Sequence, residues 1–275
     1  MQKILSEHSM MNNTVDGFGV WNKIGFISLS ELTESAKLMN RIDTKYVTNI
    51  SVLEKILNMA ASRGYRALKV EGENIIPYSS MYYDTDSLKM FTDHHNRRLT
   101  RQKIRTREYI SSGLTFLEIK LKSNKGRTRK KRIAIPKDCF KDFRNNLEAD
   151  EYIANKSSYS ADMLKPRLET IFRRITLANK DITERLTIDT SLIFINQDTG
   201  IKATLDDAVI LELKQDGRAF SEMKEIFMEL RVKPMRISKY CIGMTLTNPN
   251  AKSNRFKQKT HQIEKITGHK ILVTK

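Results

Sequence analysis

The stretch RQKIRTREYISSGLTFLEIKLKSNKGRTRKKR, residues 101–132, decides how this chain is read. It predicts strands over about Leu99 to Ile110 and Thr115 to Lys122, joined by the turn Ser111-Ser112-Gly113. Asn124-Lys125-Gly126 turns again into a strand from about Arg127 to Ile135, which Pro136 stops. From Arg97 to Arg132 fourteen Lys and Arg stand against two acids, Glu108 and Glu118, a net of +12 in thirty-six residues. A disordered basic tail has no need of Ile104, Tyr109, Phe116, Leu117, Ile119 and Leu121, yet these are interleaved with the cations. The pattern predicts an antiparallel meander with cations gathered on one face.

Side chains at i and i+2 of a strand share a face, roughly 6–7 Å apart. On that spacing Arg101, Lys103, Arg105 and Arg107 form one row, Glu118, Lys120 and Lys122 a second, and Glu212 with Lys214 a third. Arg185 and Asp189 share a fourth, and Arg41, Asp43 and Lys45 a fifth. The opposite faces carry Ile104, Leu117, Ile119, Leu121, Leu211 and Leu213. A sheet wetted on one side also alternates in this way. Recurrence on several separate strands favours inward-pointing charge, with the apolar faces under helices. A lumen lined by Lys and Arg is self-repelling unless a long, multiply charged anion such as a triphosphate fills it. Arg grips phosphate oxygens two at a time and Lys adds point charge. The carboxylates, which repel phosphate, call for a bridging divalent cation.

Outward from this core, the chain has 275 residues and a formal charge of +17, from 49 Lys and Arg against 32 Asp and Glu. No apolar run approaches the ~18 residues that span a bilayer, and MQKILSEHSMMNN lacks the apolar centre of a signal peptide. Cys139 and Cys241 fit no metal or redox spacing and are expected as reduced thiols, which suits the cytoplasm. Helices are expected from Ser30 onward (capped by Ser28 or Ser30), from about Ser51 to Arg63, over 137 to about 165, from Glu222 to Arg231, and over Ser253–Ile266. Further strands are expected at Arg41–Val47, Ser79–Tyr83, Thr170–Leu177, Thr183–Phe194 and Ala208–Lys214. About eight strands and few long helices predict an α+β fold, a closed antiparallel β-barrel in one domain.

At these residues the sequence resembles the VTC domain, the polyphosphate polymerase domain of the triphosphate tunnel metalloenzymes. The matching stretches are RIDTKY (41–46), MYYDTDSLKMFTDHHN (81–96), RQKIRTREY (101–109), LEIKLKSNKGRTRKKR (117–132), RRITLANKDITERLTID (173–189), ILELKQDGR (210–218) and RISKYCIGM (236–244). The resemblance runs over about 41–270 and leaves 1–40 as an extension. It implies an eight-stranded tunnel flanked by helices, one end closed by a C-terminal helix, with ATP's triphosphate held inside. Phosphate contacts fall on Lys45, Arg105, Arg107, Lys120 and Lys122, on Lys131 of the Arg129–Arg132 cluster, and on Arg174, Arg185, Lys214, Arg236, Ser238 and Lys239. Of these, Lys45, Arg105, Arg107, Lys120, Arg174, Arg185, Lys214 and Lys239 would act in catalysis. Glu212 matches the metal-binding glutamate, with Glu118 second, for Mn²⁺ or Mg²⁺. Relatives open with Glu-x-Glu-x-Lys where this chain reads Arg41-x-Asp43-x-Lys45, which leaves one acid on that strand.

The implied activity is transfer of ATP's γ-phosphate to phosphate or polyphosphate. Water as acceptor would make the same site a tripolyphosphatase or nucleotide phosphatase, and without turnover it would be a polyanion-binding module. By family analogy a separate membrane protein would couple synthesis to export, at the cytoplasmic face of a membrane. Other signals carry less. His94-His95 lacks a third metal ligand and reads as a polar turn. Gly17-Phe18-Gly19 is no dinucleotide loop, and neither a P-loop nor a Gly-x-Ser-x-Gly elbow occurs. Tyr82-Tyr83 reads as barrel-rim packing rather than adenine stacking. Arg127–Arg132 alone would suggest nucleic acid, but the Glu–Lys alternation beside it favours the tunnel.

Overall fold

The computed structural model describes residues 15–35, 41–125, 127–217 and 219–275. In chain order the elements are β1 (Gly25–Ile27), α1 (Leu29–Ser35), β2 (Arg41–Asn49), α2 (Ile50–Ser62), β3 (Arg66–Leu68), β4 (Ile76–Asp84), α3 (Lys89–His95), β5 (Arg101–Tyr109), β6 (Thr115–Lys122) and β7 (Thr128–Ile135). There follow α4 (Leu147–Lys156), β8 (Lys165–Ala178), β9 (Glu184–Asn196), β10 (Lys202–Leu205), β11 (Ala208–Asp216), α5 (Glu222–Glu229), α6 (Lys239–Thr247), α7 (Asn254–Thr267) and β12 (Leu272–Thr274).

Eight strands pair antiparallel, as expected, and their order is β7-β6-β5-β4-β8-β9-β11-β2. The sheet curls into a half-barrel. Between Ile171 and Arg173 the β8–β9 register slips, near Ser191 of β9, which has φ 53°. A bulge of this kind bends a strand pair and sharpens its twist. Closure into a full barrel is not what the described residues show, because β2 and β7 do not pair. The free edge of β2 is taken by the segment before α6: Met235 N–H donates to the Lys45 carbonyl at 2.8 Å, and Tyr46 bridges to Pro234. That contact also carries Arg236, Ser238 and Lys239 to the mouth of the curl.

Antiparallel partners share a face, so the registers separate the two sides. On the convex side Leu53, Ile56 and Leu57 of α2 pack on Ile188, Leu211 and Leu213. Phe140, Phe143 and Ile153 cover Ile104, Leu117 and Ile119. A third cluster lies on the concave side, where Tyr240, Ile242 and Met244 of α6 and Phe256 of α7 meet Tyr82, Phe172 and Phe194. No described helix is long and apolar enough to cross a membrane.

Local chemistry explains most boundaries. Ser28 and Glu31 form a capping box, with Glu31 N–H donating to Ser28 Oγ at 3.3 Å and Ser28 N–H to the Glu31 carboxylate at 2.9 Å. Asn49 caps α2 and Asn146 caps α4. The single helix expected over 137–165 is instead a short 3-10 turn at Lys137–Phe140, the helix α4, and a second turn at Ala161–Met163. Phe140 and Phe143 follow the sheet surface, and Asn146 starts the helix afresh. The expected start of α1 holds, while its continuation over 36–40 lies outside the described residues. His94 and His95, expected in a polar turn, end α3 and pack on Phe256. Tyr82 and Tyr83 lie on opposite faces, against Tyr240 and Phe143.

Gly243 lets α6 sit directly on the sheet. A Cβ there would lie 2.5 Å from Leu168 Cδ2 and 2.6 Å from Phe194 Cδ1, both side chains fully buried. Gly243→Ala gains helix propensity but overpacks this contact, at a cost of about 1–3 kcal/mol. A melting temperature lowered by several degrees is expected in thermal denaturation; an unchanged or higher one would contradict the close approach.

Candidate functional site

Three carboxylates on the concave face each hold two cations. Glu118 of β6 accepts from Arg105 Nε at 2.8 Å and Nη2 at 2.6 Å, and it pairs with Lys130 of β7. Asp189 of β9 accepts from Arg174 Nε at 2.6 Å and Nη2 at 2.8 Å, and it pairs with Lys239 at the start of α6. Glu212 of β11 pairs with Lys45 of β2 and, at 2.9 Å, with Lys214 of its own strand. Burial alone would raise all three carboxyls, but the neighbouring cations outweigh it and hold them well below the usual carboxylate range.

Further cations fill the space between these triads. Arg107 donates from Nε to Ser80 Oγ at 3.2 Å and lies over the rings of Tyr78 and Phe172. Arg174 covers the same two rings from 5.2 Å. Tyr78 and Phe172 are themselves stacked, so an aromatic floor sets the height of both guanidinium planes. Arg105 also donates to Tyr82 Oη at 3.0 Å. Lys120 sits opposite Lys103 and Lys130 in the sheet and lies in the fields of Glu212 and Lys45 across the curl. Burial first, then Arg105, Lys45 and Lys130, push its ammonium down to about 7 against a partial pull upward from Glu212. Burial also lowers Lys130, to about 8, against the pull of Glu118. Burial is the first cause of both shifts, and the surrounding cations add to it at Lys120.

Most of the residues named from sequence converge on this face: Lys45, Arg105, Arg107, Lys120, Arg174, Lys214, Lys239, Glu118 and Glu212. Arg185 occupies the adjoining concave position of β9, opposite Lys214. Lys122 lies at the end of β6 opposite Arg101, where burial and the fields of Arg101 and Arg236 lower it. Arg236 is exposed at the same mouth. Ser238 caps α6 and also accepts from Lys103 Nζ at 2.7 Å.

Two expectations are corrected. Lys131 pairs with Ile119 and lies on the convex face, whereas Lys130 pairs with Lys120 and reaches Glu118. The parity was legible in Ile133 and Ile135, apolar residues two and four beyond Lys131 that pack under the convex cluster. Glu118 is not open to a metal, because its side chain is fully buried between Arg105 and Lys130. It is a counter-ion. Asp189 and Lys103 also belong to the site although sequence reasoning left them unassigned; Asp189 already shared a face with Arg185.

Glu212 differs from Glu118 in keeping 20% of its side chain exposed on the concave face. No group of three His, Cys, Asp or Glu gathers at metal spacing among the described residues. One partly open carboxylate facing a cation-rich surface still suits a divalent ion that would take its remaining ligands from a bound anion and water. The donor set therefore fits a substrate-bridged ion and no all-protein metal cage.

The VTC domain family matches residues 40–248. Among solved structures, a candidate adenylate cyclase from Bacillus halodurans is similar at TM-score 0.45 and 14% identity, covering 80% of this chain and 100% of that one. A candidate adenylyl cyclase from Hippeastrum, described as having a dominant triphosphatase activity, reaches TM-score 0.49 at 11% identity over 74% of this chain and 95% of that one. Another from Vibrio parahaemolyticus gives TM-score 0.43 at 11% identity, covering 74% and 97%. No curated protein matches the chain by sequence.

The depressed carboxyls link stability to pH. Unfolded Asp and Glu titrate near about 3.9 and 4.3, above their folded values here, so the triads stabilise fully above that range and weaken as pH falls through it. From a plateau near pH 7 the melting temperature should start to fall at about pH 6.5, where unfolded His94 takes up a proton that burial denies it in the fold, and should fall further below about pH 4, where the triads lose their charge. Asp189→Asn should lower the plateau and flatten the acid limb. A fall already complete by pH 5 would rule out these groups as its cause.

Proposed function

Because the chain belongs to the VTC domain family, we propose that its concave face is the active site of an ATP-dependent polyphosphate polymerase. The observation that carries this reading is the set of three carboxylates each spanning two cations, with Lys120, Arg107 and Lys103 beside them. A triphosphate supplies the negative charge this surface lacks, and its oxygens can replace carboxylate oxygens one for one on Arg and Lys.

In the proposed reaction an oxygen of the acceptor, orthophosphate or a chain end, attacks the γ-phosphorus of ATP in line. The bond from that phosphorus to the bridging oxygen breaks, and ADP leaves with the oxygen and its electron pair. Arg105, Arg107, Arg174 and Arg185 hold phosphate oxygens in fixed planes, with the aromatic floor keeping two of them in place. Lys45, Lys120, Lys130, Lys214 and Lys239 spread charge over the transferring group. Lys122, Arg236 and Ser238 stand at the mouth, where the chain would pass. Glu212, once phosphate takes over Lys45 and Lys214, is free to hold Mn²⁺ or Mg²⁺. A bound ion would supply positive charge to the transferring phosphate. No protein nucleophile is required. By family analogy, a membrane protein would couple synthesis to export.

Incubation with ATP and Mn²⁺, followed by polyphosphate staining on a gel and quantitation of ADP, tests the reading. A ladder of chains that Glu212→Gln abolishes, with tripolyphosphate binding retained, is the expected result. Free phosphate without chains would make the site a hydrolase, and no turnover with either metal would leave a polyanion-binding module. The register correction has its own test. Lys130→Ala should weaken tripolyphosphate binding about tenfold, as expected for one lost charge-assisted contact. Lys131→Ala should stay within about twofold, the effect of a remote surface charge.

A further inference from the structure

The β5 row does not end at Lys103. Arg101, the next residue on the same face, opens onto a cleft of about 500 Å³ at the end of the β5–β6–β7 strands. Lys122, Lys125 and Arg127 line it with Arg101, while Gln102, Leu121 and Arg129 reach it from the convex face. The cleft therefore wraps around the edge of the sheet. It has no acidic lining residue, and none of its five cations forms an ion pair with a described carboxylate. In this it differs from the concave face, where acids bridge the cations in pairs. Arg101 keeps a hydrogen bond from Nη1 to the Arg98 carbonyl at 2.7 Å, which fixes one end of the cleft.

Lysines on an edge strand often serve only to prevent sheet-to-sheet pairing. That role needs no concavity, no cations from three strands, and no continuity with a second cation row. Nucleic acid is disfavoured as the occupant, because no aromatic side chain lines the cleft and single strands bind largely by base stacking. A thin, base-free chain of phosphates meets the geometry better.

We infer that this rim cleft is a second anion site, which takes the distal segment of a linear polyphosphate whose other end lies on the concave face. The inference rests on the reading of that face as a phosphate site. The rim thereby separates long chains from short ones, since tripolyphosphate is satisfied on the concave face and gains nothing from the cleft. A growing chain would be held at two places and released less often between additions.

The test compares binding of long-chain polyphosphate and of tripolyphosphate, each titrated calorimetrically without divalent metal, to the full chain and to a Lys125→Glu, Arg127→Glu, Arg129→Glu variant. These three side chains are exposed. A second variant with Gln at the same positions controls for charge reversal. Long-chain affinity should fall about tenfold or more with a shallower salt dependence, since fewer counterions are exchanged. Tripolyphosphate affinity should stay within about twofold, because it makes no contact with these exposed cations. The inference fails if the two affinities fall together or if neither moves. It fails equally if a single-stranded oligonucleotide binds the wild type as tightly as long-chain polyphosphate and weakens in parallel. Failure of the wild type to bind tripolyphosphate would instead remove the concave-face reading, while the long-chain comparison still decides the rim. Absence of ATP turnover touches neither measurement.

Discussion

One carboxylate held between two cations, repeated three times, is the interaction on which the concave face depends. Isolated charges at such depth would be costly, and cations alone would drive the strands apart. Glu118 joins β5 to β7 across β6, Asp189 joins β8 to α6 across β9, and Glu212 joins β2 to β11. Each acid thus stitches elements of the curl together while leaving a net positive surface. With two cations to each acid, every triad keeps a formal charge of +1.

The inverted polarity of the sheet follows. Since the concave face is spent on charge, apolar burial moves to the convex face, under α2 and α5 on one side and under Phe140, Phe143 and α4 on the other. The concave side buries apolar surface only where α6 and α7 settle on it. There Tyr240 stacks on Tyr82 and donates to the fully buried Asp84 at 2.6 Å, which also accepts backbone N–H groups from the start of α3. Packing of α6 and placement of Lys239 are therefore one event, since Lys239 is the residue before Tyr240. The segment leading into α6 occupies the edge of β2, which is why the sheet curls without pairing β7 to β2.

Much of this was legible in the residues. Alternation of charge with Ile and Leu at Arg101–Arg107, Glu118–Lys122 and Glu212–Lys214 assigned strands and faces. Hairpin register was less accessible. Lys130 and Lys131 are adjacent, and a loop one residue longer or shorter exchanges their faces; only the apolar parity of Ile133 and Ile135 distinguishes them. The helix expected over 137–165 failed for a related reason. Its apolar spacing reflects a segment following the surface of the sheet, which periodicity does not separate from one continuous helix.

By itself the sequence determined that strands with one charged and one apolar face dominate the chain, and that a surplus of cations is concentrated on those charged faces. These are properties of spacing and composition, which local backbone geometry converts directly into faces. The tertiary structure alone decided which carboxylate is a counter-ion and which stays open, because that depends on how many cations from other strands reach it. Glu118 meets Arg105 and Lys130 with no exposed surface left, while Glu212 retains an open flank. The same holds for the edge of β2, which is covered by Pro234 and Met235 from far along the chain. Long-range contacts set burial and partners, and no local pattern encodes them.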